Sequence, residues 1–288
     1  SYTGLFFIIG ARLEKILSGQ NKSRSPYKTV VPAVFFIYIT FLVVSTHERN
    51  KVWQDSEKLF TDVIRNYPDV PIAYNNLGTY YQKQNMTERA HKNFNAALNL
   101  QSDFFDALIN RSDLYRVEGK LDSAIYDCSH AIRLEPDKPD GYMNRGIVYS
   151  MLQKYDSALS DFNKAIALNA LDARAYGNRG NLYDMRGDYD SAVSDFNHAL
   201  LLNPAYTEIY GSRGRSYVKK QNFDSAIGDL NLAIKYYPQN PENYFLRAVI
   251  FQEKQQWSDA LQDALTAKSL GKNVDEKAIQ FLRQKSGK

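Results

Sequence analysis

The chain has 288 residues, of which 44% are hydrophobic and 24% are charged, a composition typical of folded rather than disordered protein. Its single cysteine, Cys128, excludes an internal disulfide framework and a CxxC metal or redox site. Residues 1–51 carry a net charge of +5 and residues 52–288 carry −1, which argues against a nucleic-acid-binding surface along most of the chain.

The first 51 residues are predicted to be a membrane segment. Residues 29–46 contain no charge, and a helix of that length would span roughly 27 Å, close to the hydrocarbon thickness of a bilayer. Residues 1–11 are also apolar and resemble the cut end of another span, so we expect a longer parent protein. A buried core helix is the alternative for residues 29–46, although only Tyr38 and Thr40 would supply its polar stripe.

Residues 12–28 form a basic loop between the two apolar runs, with five Lys/Arg and one Glu. The positive-inside tendency places this loop in the cytoplasm and everything after His47 on the extracytoplasmic side. The sequence therefore predicts an integral membrane protein whose remaining residues face the extracytoplasmic side. In a bacterial inner membrane, the expected location, that side is the periplasm, and in a eukaryote it would be the lumen.

Residues 52–70 are predicted to be a single helix that precedes a repetitive region. From residue 71 onward the sequence repeats every 34 residues without insertion. The six registers are 71–104, 105–138, 139–172, 173–206, 207–240 and 241–274. The clearest copies are YMNRG at 142–146, YGNRG at 176–180 and YGSRG at 210–214.

Several columns of this repeat have a restricted composition. Position 4 is Tyr in all repeats but one, position 8 is always small, position 11 is always aromatic, and positions 20 and 27 are always Ala. Positions 4, 8 and 11 share one face of a first helix, and positions 20, 24 and 27 share one face of a second helix. Position 15 makes the turn, and a proline at position 32 ends three of the second helices.

These columns resemble the tetratricopeptide repeat (TPR). The resemblance covers residues 71–274 and implies an all-α solenoid, a right-handed superhelix of antiparallel helix pairs. A single pair cannot bury its apolar face, so the pairs must stack. Residues 52–70 are then a half-repeat, and residues 275–288 are a polar C-terminal cap.

Position 7 departs from the aliphatic residue that this family usually has there. It is Leu77 in the first repeat and arginine in the other five, while position 23 changes from Asn93 to aspartate. Positions 7 and 23 lie at the same height in an antiparallel hairpin, so we expect a structural ladder of ion pairs. Its members are Arg111, Arg145, Arg179, Arg213 and Arg247 with Asp127, Asp161, Asp195, Asp229 and Asp263. An arginine row for an anionic ligand is the alternative.

No catalytic or metal-binding motif interrupts the repeats. The histidines His47, His91, His130 and His198 are scattered, and the HExxH, GxxxxGK[ST] and GxSxG patterns are absent from the sequence. We therefore predict no catalytic residue, no metal site and no cofactor within residues 1–288.

The inner groove of the solenoid is the predicted working surface, with a protein or peptide as its ligand. In this architecture the groove is lined by first-helix positions 2, 5, 9, 12 and 13. The candidate residues are Asn75, Thr79, Lys83, Ile109, Asp113, Arg116, Met143, Ile147, Met151, Asn181, Asp184, Arg215 and Lys219.

The junction at residues 45–81 resembles that of the transmembrane and TPR-containing O-mannosyltransferase family and its bacterial relatives, in which RN-x-x-W follows the last span. Here the motif is Arg49, Asn50 and Trp53. The resemblance implies a polytopic membrane glycosyltransferase that uses a lipid-linked sugar, with its catalytic acidic loop upstream and its repeats binding an acceptor or partner subunits. A non-enzymatic, membrane-tethered scaffold that assembles cell-envelope proteins is the alternative.

Overall fold

A computed structural model describes residues 34–46 and 55–287, and all regular structure among these residues is α-helical. The fifteen helices in this part of the chain are α1 (34–46), α2 (Ser56–Asn66), α3 (Pro71–Lys83), α4 (Thr87–Leu100), α5 (Phe105–Val117), α6 (Leu121–Leu134), α7 (Pro139–Met151), α8 (Tyr155–Leu168), α9 (Ala173–Arg186), α10 (Tyr189–Leu202), α11 (Glu208–Lys219), α12 (Phe223–Tyr236), α13 (Pro241–Glu253), α14 (Trp257–Ser269) and α15 (Glu276–Ser286). The predicted all-α solenoid of helix pairs is confirmed.

Each 34-residue repeat consists of one helix pair, from α3–α4 in the first repeat to α13–α14 in the sixth. We call the odd-numbered helices α3–α13 the A helices and the even-numbered helices α4–α14 the B helices. Each A helix packs against its own B helix, and each B helix contacts the A helix of the next repeat. The A helices of successive repeats also contact one another. They therefore lie closer together than the B helices and line the concave side of the array.

The turn between the A and B helices depends on a left-handed residue at position 15. The backbone φ angle there is +75° at Gly119 and +80° at Gly187. In the other four repeats it is 58–59°, at Asn85, Gln153, Gln221 and Gln255. Glycine adopts this conformation without steric cost, and the non-glycine residues adopt it at a cost of about 1 kcal/mol each.

The helix pairs are held close by small residues. The alanines at positions 20 and 27 are completely or almost completely buried in all six repeats: Ala90, Ala97, Ala124, Ala131, Ala158, Ala165, Ala192, Ala199, Ala226, Ala233, Ala260 and Ala267. At position 8, a Cβ atom added to Gly146 would lie 2.8 Å from Cε1 of Phe162, the buried residue at position 24. The A helix thus approaches its partner more closely than a larger residue would permit.

The two ends of the array are covered by single helices. At the start, α2 packs against α3, and the Tyr81 hydroxyl donates a hydrogen bond to Oε1 of Glu57 at 2.8 Å. At the far end, Ile279 and Leu282 of α15 are buried against the last repeat. The outer face of α15 is charged, so this helix separates the apolar face of the sixth repeat from solvent.

Helix α1 exposes large apolar side chains to solvent, including Phe36 and Ile37. Within residues 34–46 and 55–287, no helix combines the length and the hydrophobicity that a bilayer crossing requires. The predicted span at 29–46 is described only from residue 34 onward. The predicted segments 1–11 and 12–28 and the junction residues Arg49, Asn50 and Trp53 lie outside the described residues.

Candidate functional site

Most of the predicted groove residues have side chains that are at least partly accessible to solvent. Lys83, Met151 and Lys219 are exposed. The half-buried members are Thr79, Ile109, Asp113, Arg116, Ile147, Asn181, Asp184 and Arg215. They lie on A helices α3, α5, α7, α9 and α11, which follow one another along the concave side.

Two of the predicted groove residues do not line the groove. Met143 is only 3% exposed and packs with Ala165 and Ala175, and Asn75 is 5% exposed. Both occupy position 5 of their A helix, which the A helix of the next repeat covers. Asn75 accordingly accepts a hydrogen bond from Nδ2 of Asn110, in the second repeat, at 3.0 Å. Position 5 is therefore part of the packing between repeats in the first and third repeats, whereas Ile109 at the same position of the second repeat stays half-buried.

The acidic groove residues are already paired within the protein. Asp113 accepts hydrogen bonds from Gln82 at 2.8 Å and from Arg116 at 2.6 Å. Asp184 accepts from Nε of Arg215 at 2.9 Å and from a serine hydroxyl of the same helix at 2.5 Å. The charges of Arg116 and Arg215 are therefore balanced by those of Asp113 and Asp184.

An apolar cavity of about 170 Å³ opens on the concave side between the third and fourth repeats. Its lining residues are Ile147, Ser150, Met151, Phe162, Asn178, Asn181, Leu182 and Met185. Phe162 and Leu182 are buried and form its floor, whereas Met151 and Met185 are 48% and 52% exposed at its mouth. Flexible, polarizable methionine side chains adapt to ligands of varied shape. Met185 was missing from the predicted set, although it shares position 13 with Met151.

Two carboxamides at this cavity form no hydrogen bond within the part of the chain that the structure describes. The side chains of Asn178 and Asn181 form no hydrogen bond with any other described residue, and both are half-buried. A carboxamide has donor and acceptor groups side by side, so it is able to bind both the N–H and the C=O of one peptide unit. The cavity thus combines apolar surface with solvent-accessible carboxamides that no other described residue bonds to.

A second, polar concavity of about 330 Å³ lies at the edge of the same two repeats. It is lined by residues 153–157, which form the end of the turn and the start of α8, and by Arg186, the residue that follows Met185. Arg186 donates a hydrogen bond to Oδ1 of Asp156 at 3.1 Å, and Lys154 makes no ion pair with a described residue. Asp188 adds a second negative charge near Arg186, so the two basic and two acidic residues here carry no net charge.

The five ladder arginines form bidentate ion pairs with the five ladder aspartates. The Nε–Oδ2 distances are 2.7–2.8 Å and the Nη2–Oδ1 distances are 2.7–2.9 Å. The aspartate side chains are 1–9% exposed and the arginine side chains 18–21%. Each pair joins the A and B helices of one repeat at the height expected from its position.

Each ladder arginine also bonds to the preceding repeat, a contact that the matched heights of positions 7 and 23 do not predict. Its Nη1 donates to the position-25 side chain of the previous B helix at 2.5–3.1 Å. The acceptors are Asn95, Ser129, Asn163, Asn197 and Asn231. Position 25 of the last repeat, which no arginine follows, is Leu265. The change to leucine, in the one repeat whose position 25 has no arginine to bind, is the sequence feature that indicates this contact.

The environment of the ladder keeps its arginines charged. Arg145 lies between Tyr142 and Tyr149, with its guanidinium carbon 5.9 Å and 5.7 Å from the ring centroids. The hydrogen bond to Asp161 raises the pKa of Arg145 above its ordinary value, against the opposing effect of burial. The arginine charge is offset by aspartate, which supports a structural role for the ladder.

The remaining reactive side chains are dispersed. Burial raises the pKa of the Cys128 thiol to about 12, so this cysteine is neither ionised nor accessible near neutral pH. His91 contacts Glu118 at 2.8 Å and His130 contacts Asp103 at 3.2 Å, in separate places. Among the described residues, no group of three or more His, Cys, Asp or Glu is arranged to hold a metal ion.

Comparison with known proteins places these features in context. One model of the tetratricopeptide repeat matches residues 139–170 and 173–206, and a second matches residues 76–139 and 212–272. Together the two cover most of the solenoid. A comparison with curated proteins finds no sequence that matches this chain.

Several solved structures are similar to this fold. A chain of the APC/C hetero-tetramer Cut9-Hcn1 has a TM-score of 0.72 and 21% identity, over 83% of this chain and 46% of that one. A tetratricopeptide repeat protein from Parabacteroides merdae has a TM-score of 0.59 and 24% identity, over 85% and 96%. PilF from Pseudomonas aeruginosa has a TM-score of 0.65 and 18% identity, over 74% and 96%. The chain thus spans less than half of the Cut9-Hcn1 chain, and at these identities the likeness concerns the fold.

Proposed function

The chain belongs to the tetratricopeptide-repeat family, and on that premise we propose that it is a protein-interaction module whose concave groove binds an extended segment of a partner protein. The observation that carries this proposal is the cavity between the third and fourth repeats. There, exposed methionines lie beside asparagine side chains that have no hydrogen-bond partner among the described residues.

The chemistry of the cavity suits a peptide in extended conformation. An extended peptide exposes its backbone N–H and C=O groups, whereas a helix uses most of them internally. Asn178 and Asn181 lie one helical turn apart on α9, so their carboxamides point to the same side and are positioned to bond to such a backbone. The methionines supply apolar contacts that do not depend on one particular side-chain shape.

Selection from a random dodecapeptide library displayed on phage tests this proposal. The purified 288-residue chain is the bait, and selected peptides are then titrated against variants by fluorescence anisotropy. Replacing Asn178 and Asn181 together by alanine is expected to weaken binding about tenfold, since each net hydrogen bond contributes about 0.5–1.5 kcal/mol. The matched control replaces Ser160 and Ser194, two exposed residues on B helices, by alanine.

The control variant should bind as tightly as the original chain. Selection of no peptide, or equal affinities for the asparagine and serine variants, would show that the concave groove is not the binding surface. Helical circular dichroism of both variants verifies that the array remains folded.

For the N-terminal part, we propose that residues 29–46 anchor the array in a membrane, with the repeats on the extracytoplasmic side. Three features support this: the absence of charge in the segment, the exposed apolar side chains of α1, and the basic composition of residues 12–28. An anchored array would act on proteins at the membrane surface.

Cysteine labelling in intact spheroplasts tests the orientation. A Gln239→Cys variant places an exposed thiol in the loop before α13, and buried Cys128 gives no background in the folded chain. A membrane-impermeant maleimide should label this variant without lysis. Labelling that requires lysis would place the repeats in the cytoplasm.

The RN-x-x-W motif at residues 49–53 supports a further proposal, that the chain is the partner-binding part of a membrane glycosyltransferase using a lipid-linked sugar. The alternative is a membrane-tethered scaffold that assembles envelope proteins. The coding sequence upstream of Ser1 distinguishes them. Multiple further spans with an acidic first loop are expected for the transferase, and a short lead-in without such a loop would contradict it.

A further inference from the structure

We infer that the apolar cavity between the third and fourth repeats is a pocket for one aromatic side chain, that of a phenylalanine in the bound segment. This inference rests on the proposed function and specifies the ligand of the same groove. It depends on three features of the cavity: a missing contact between the two repeats, the volume of the cavity, and the side chains that line it.

Two other boundaries of the array are joined by a hydrogen bond between position 12 of one A helix and position 9 of the next. Between the first and second repeats, Nε2 of Gln82 donates to Oδ2 of Asp113 at 2.8 Å. Between the fourth and fifth repeats, Oδ2 of Asp184 accepts from Nε of Arg215 at 2.9 Å. At both boundaries, polar side chains therefore connect neighbouring A helices on the concave side.

The boundary between the third and fourth repeats lacks this hydrogen bond. The same two positions hold Ser150 and Asn181, and both side chains line the cavity. The short Ser150 side chain donates instead to the backbone carbonyl of Gly146, in its own helix, at 2.9 Å. Asn181 forms no side-chain hydrogen bond within the described part of the chain. The cavity thus lies where no side-chain pair connects these two positions.

The volume of the cavity corresponds to one aromatic ring. It is about 170 Å³, well below the volume of a typical small-molecule site, which is about 300–1,000 Å³. An engineered apolar cavity of about 150 Å³, lined by leucine, isoleucine and phenylalanine, binds benzene. The ring of a single phenylalanine is therefore a ligand of suitable size.

The lining side chains favour an aromatic ring over an aliphatic side chain of similar size. Phe162 is 1% exposed and forms the floor, and aromatic rings make favourable edge-to-face or offset-stacked contacts with one another. Met151 and Met185 lie at the mouth, and thioether sulfur atoms make favourable contacts with ring edges. The carboxamides of Asn178 and Asn181 remain available to the peptide backbone.

The phage-displayed dodecapeptide library tests this inference with the 288-residue chain as bait. Selected peptides should share one phenylalanine, and its replacement by alanine should weaken binding at least about tenfold in fluorescence anisotropy. Replacement by cyclohexylalanine, which has a similar size but no π system, should weaken binding about threefold or more. A Met151→Leu, Met185→Leu double variant keeps apolar walls without sulfur, so it should show a smaller preference for phenylalanine over cyclohexylalanine.

A second variant fills the cavity from within the protein. Ser150→Gln places at position 12 the residue that bonds across the first boundary, and its carboxamide is then able to donate to Asn181. This variant should bind the phenylalanine peptide at least about tenfold more weakly than the original chain. The matched control is Ser160→Gln, the same change at an exposed position of a B helix, and it should bind normally. Helical circular dichroism verifies that both variants are folded.

The outcomes separate this inference from the proposed function. Peptides that depend on Asn178 and Asn181 but share no phenylalanine, or that bind equally well with cyclohexylalanine in its place, would overturn the inference and leave the groove as the binding surface. Equal affinities of the Ser150→Gln and Ser160→Gln variants for the phenylalanine peptide would also overturn it. Selection of no peptide that depends on the groove would overturn both proposals.

Discussion

Arg179 shows what one ladder residue does in this array. Its Nε and Nη2 bond to Asp195 in its own repeat, its Nη1 bonds to Asn163 in the preceding repeat, and its guanidinium lies beside Tyr176 and Tyr183. One side chain therefore fixes three helices relative to one another. Such a residue contributes to the geometry between repeats as well as to the packing within one repeat.

Removing the carboxylate of a ladder pair should destabilise the array strongly. Asp195→Ala leaves the Arg179 charge without its partner in a mostly buried site. The expected cost is about 3 kcal/mol, the lower end of the range for buried pairs, because water reaches part of Arg179. The midpoint of urea denaturation, followed by circular dichroism at 222 nm, measures this cost.

The matched control is Asp190→Ala, the same chemical change in a pair with Lys220 on the protein surface. Asp190 is 85% exposed, so its loss should cost between 0 and about 1 kcal/mol. Equal and small shifts in the two midpoints would mean that the ladder pairs contribute no more than ordinary surface pairs.

The sequence was sufficient to predict which residues of the ladder face each other within a repeat. The matched heights of positions 7 and 23 depend only on the geometry of an antiparallel hairpin. The bond to position 25 depends on how one hairpin lies against the next, which is set by packing along the whole array. Only the change from Asn231 to Leu265 at the last repeat indicated that contact in advance.

At the scale of the helix pair, positions 8 and 24 have complementary sizes. Glycine at position 8 faces phenylalanine or leucine at position 24, as in Gly146 and Phe162. Where position 24 is smaller, position 8 is larger: Ser112 with Cys128 and Ala248 with Ala264. The combined volume is thus roughly maintained, which close packing requires.

Gly146→Ala should destabilise the array because its new methyl group has no space. The added Cβ would lie 2.8 Å from the buried ring of Phe162, and such overpacking costs about 1–3 kcal/mol. Gly228→Ala is the matched control, since no atom lies within 4 Å of its added Cβ. That variant should be more stable by about 0.5–1 kcal/mol because alanine favours helix. Thermal melts of both variants should therefore shift in opposite directions, and a stabilising Gly146→Ala would contradict this account of the helix contact.

The packing of neighbouring A helices also explains why two residues predicted for the groove, Met143 and Asn75, are buried. Position 5 faces inward on an isolated helix pair, and the sequence therefore placed Met143 and Asn75 on the working surface. In the array the next A helix covers this position, so both side chains are buried. A change at Met143 would disturb the core, and for that reason the binding variants described above use Met151 and Met185.

At the scale of the whole molecule, the arginine contacts join all five boundaries between the six repeats. The first repeat has Leu77 in place of the ladder arginine, and the last repeat has Leu265 in place of an acceptor. The arginine contacts therefore extend from the first repeat to the sixth, between the end helices α2 and α15. A regular set of contacts of this kind favours one curvature of the solenoid. A fixed curvature in turn presents a groove whose shape exists before any ligand binds.

The central claim is that this groove binds its ligand between the third and fourth repeats, and the four methionines of the chain provide a direct test. Met151 and Met185 lie at the proposed site, Met143 is buried beside it, and Met86 is 44% exposed in the turn of the first repeat. The measurement is a titration of the chain, labelled with ¹³C at the methionine methyl groups, with the tightest peptide from the library. The account predicts saturable shifts of the Met151 and Met185 methyl resonances and an unchanged Met86 resonance. A peptide that binds with saturation but shifts Met86, or shifts neither Met151 nor Met185, would contradict it.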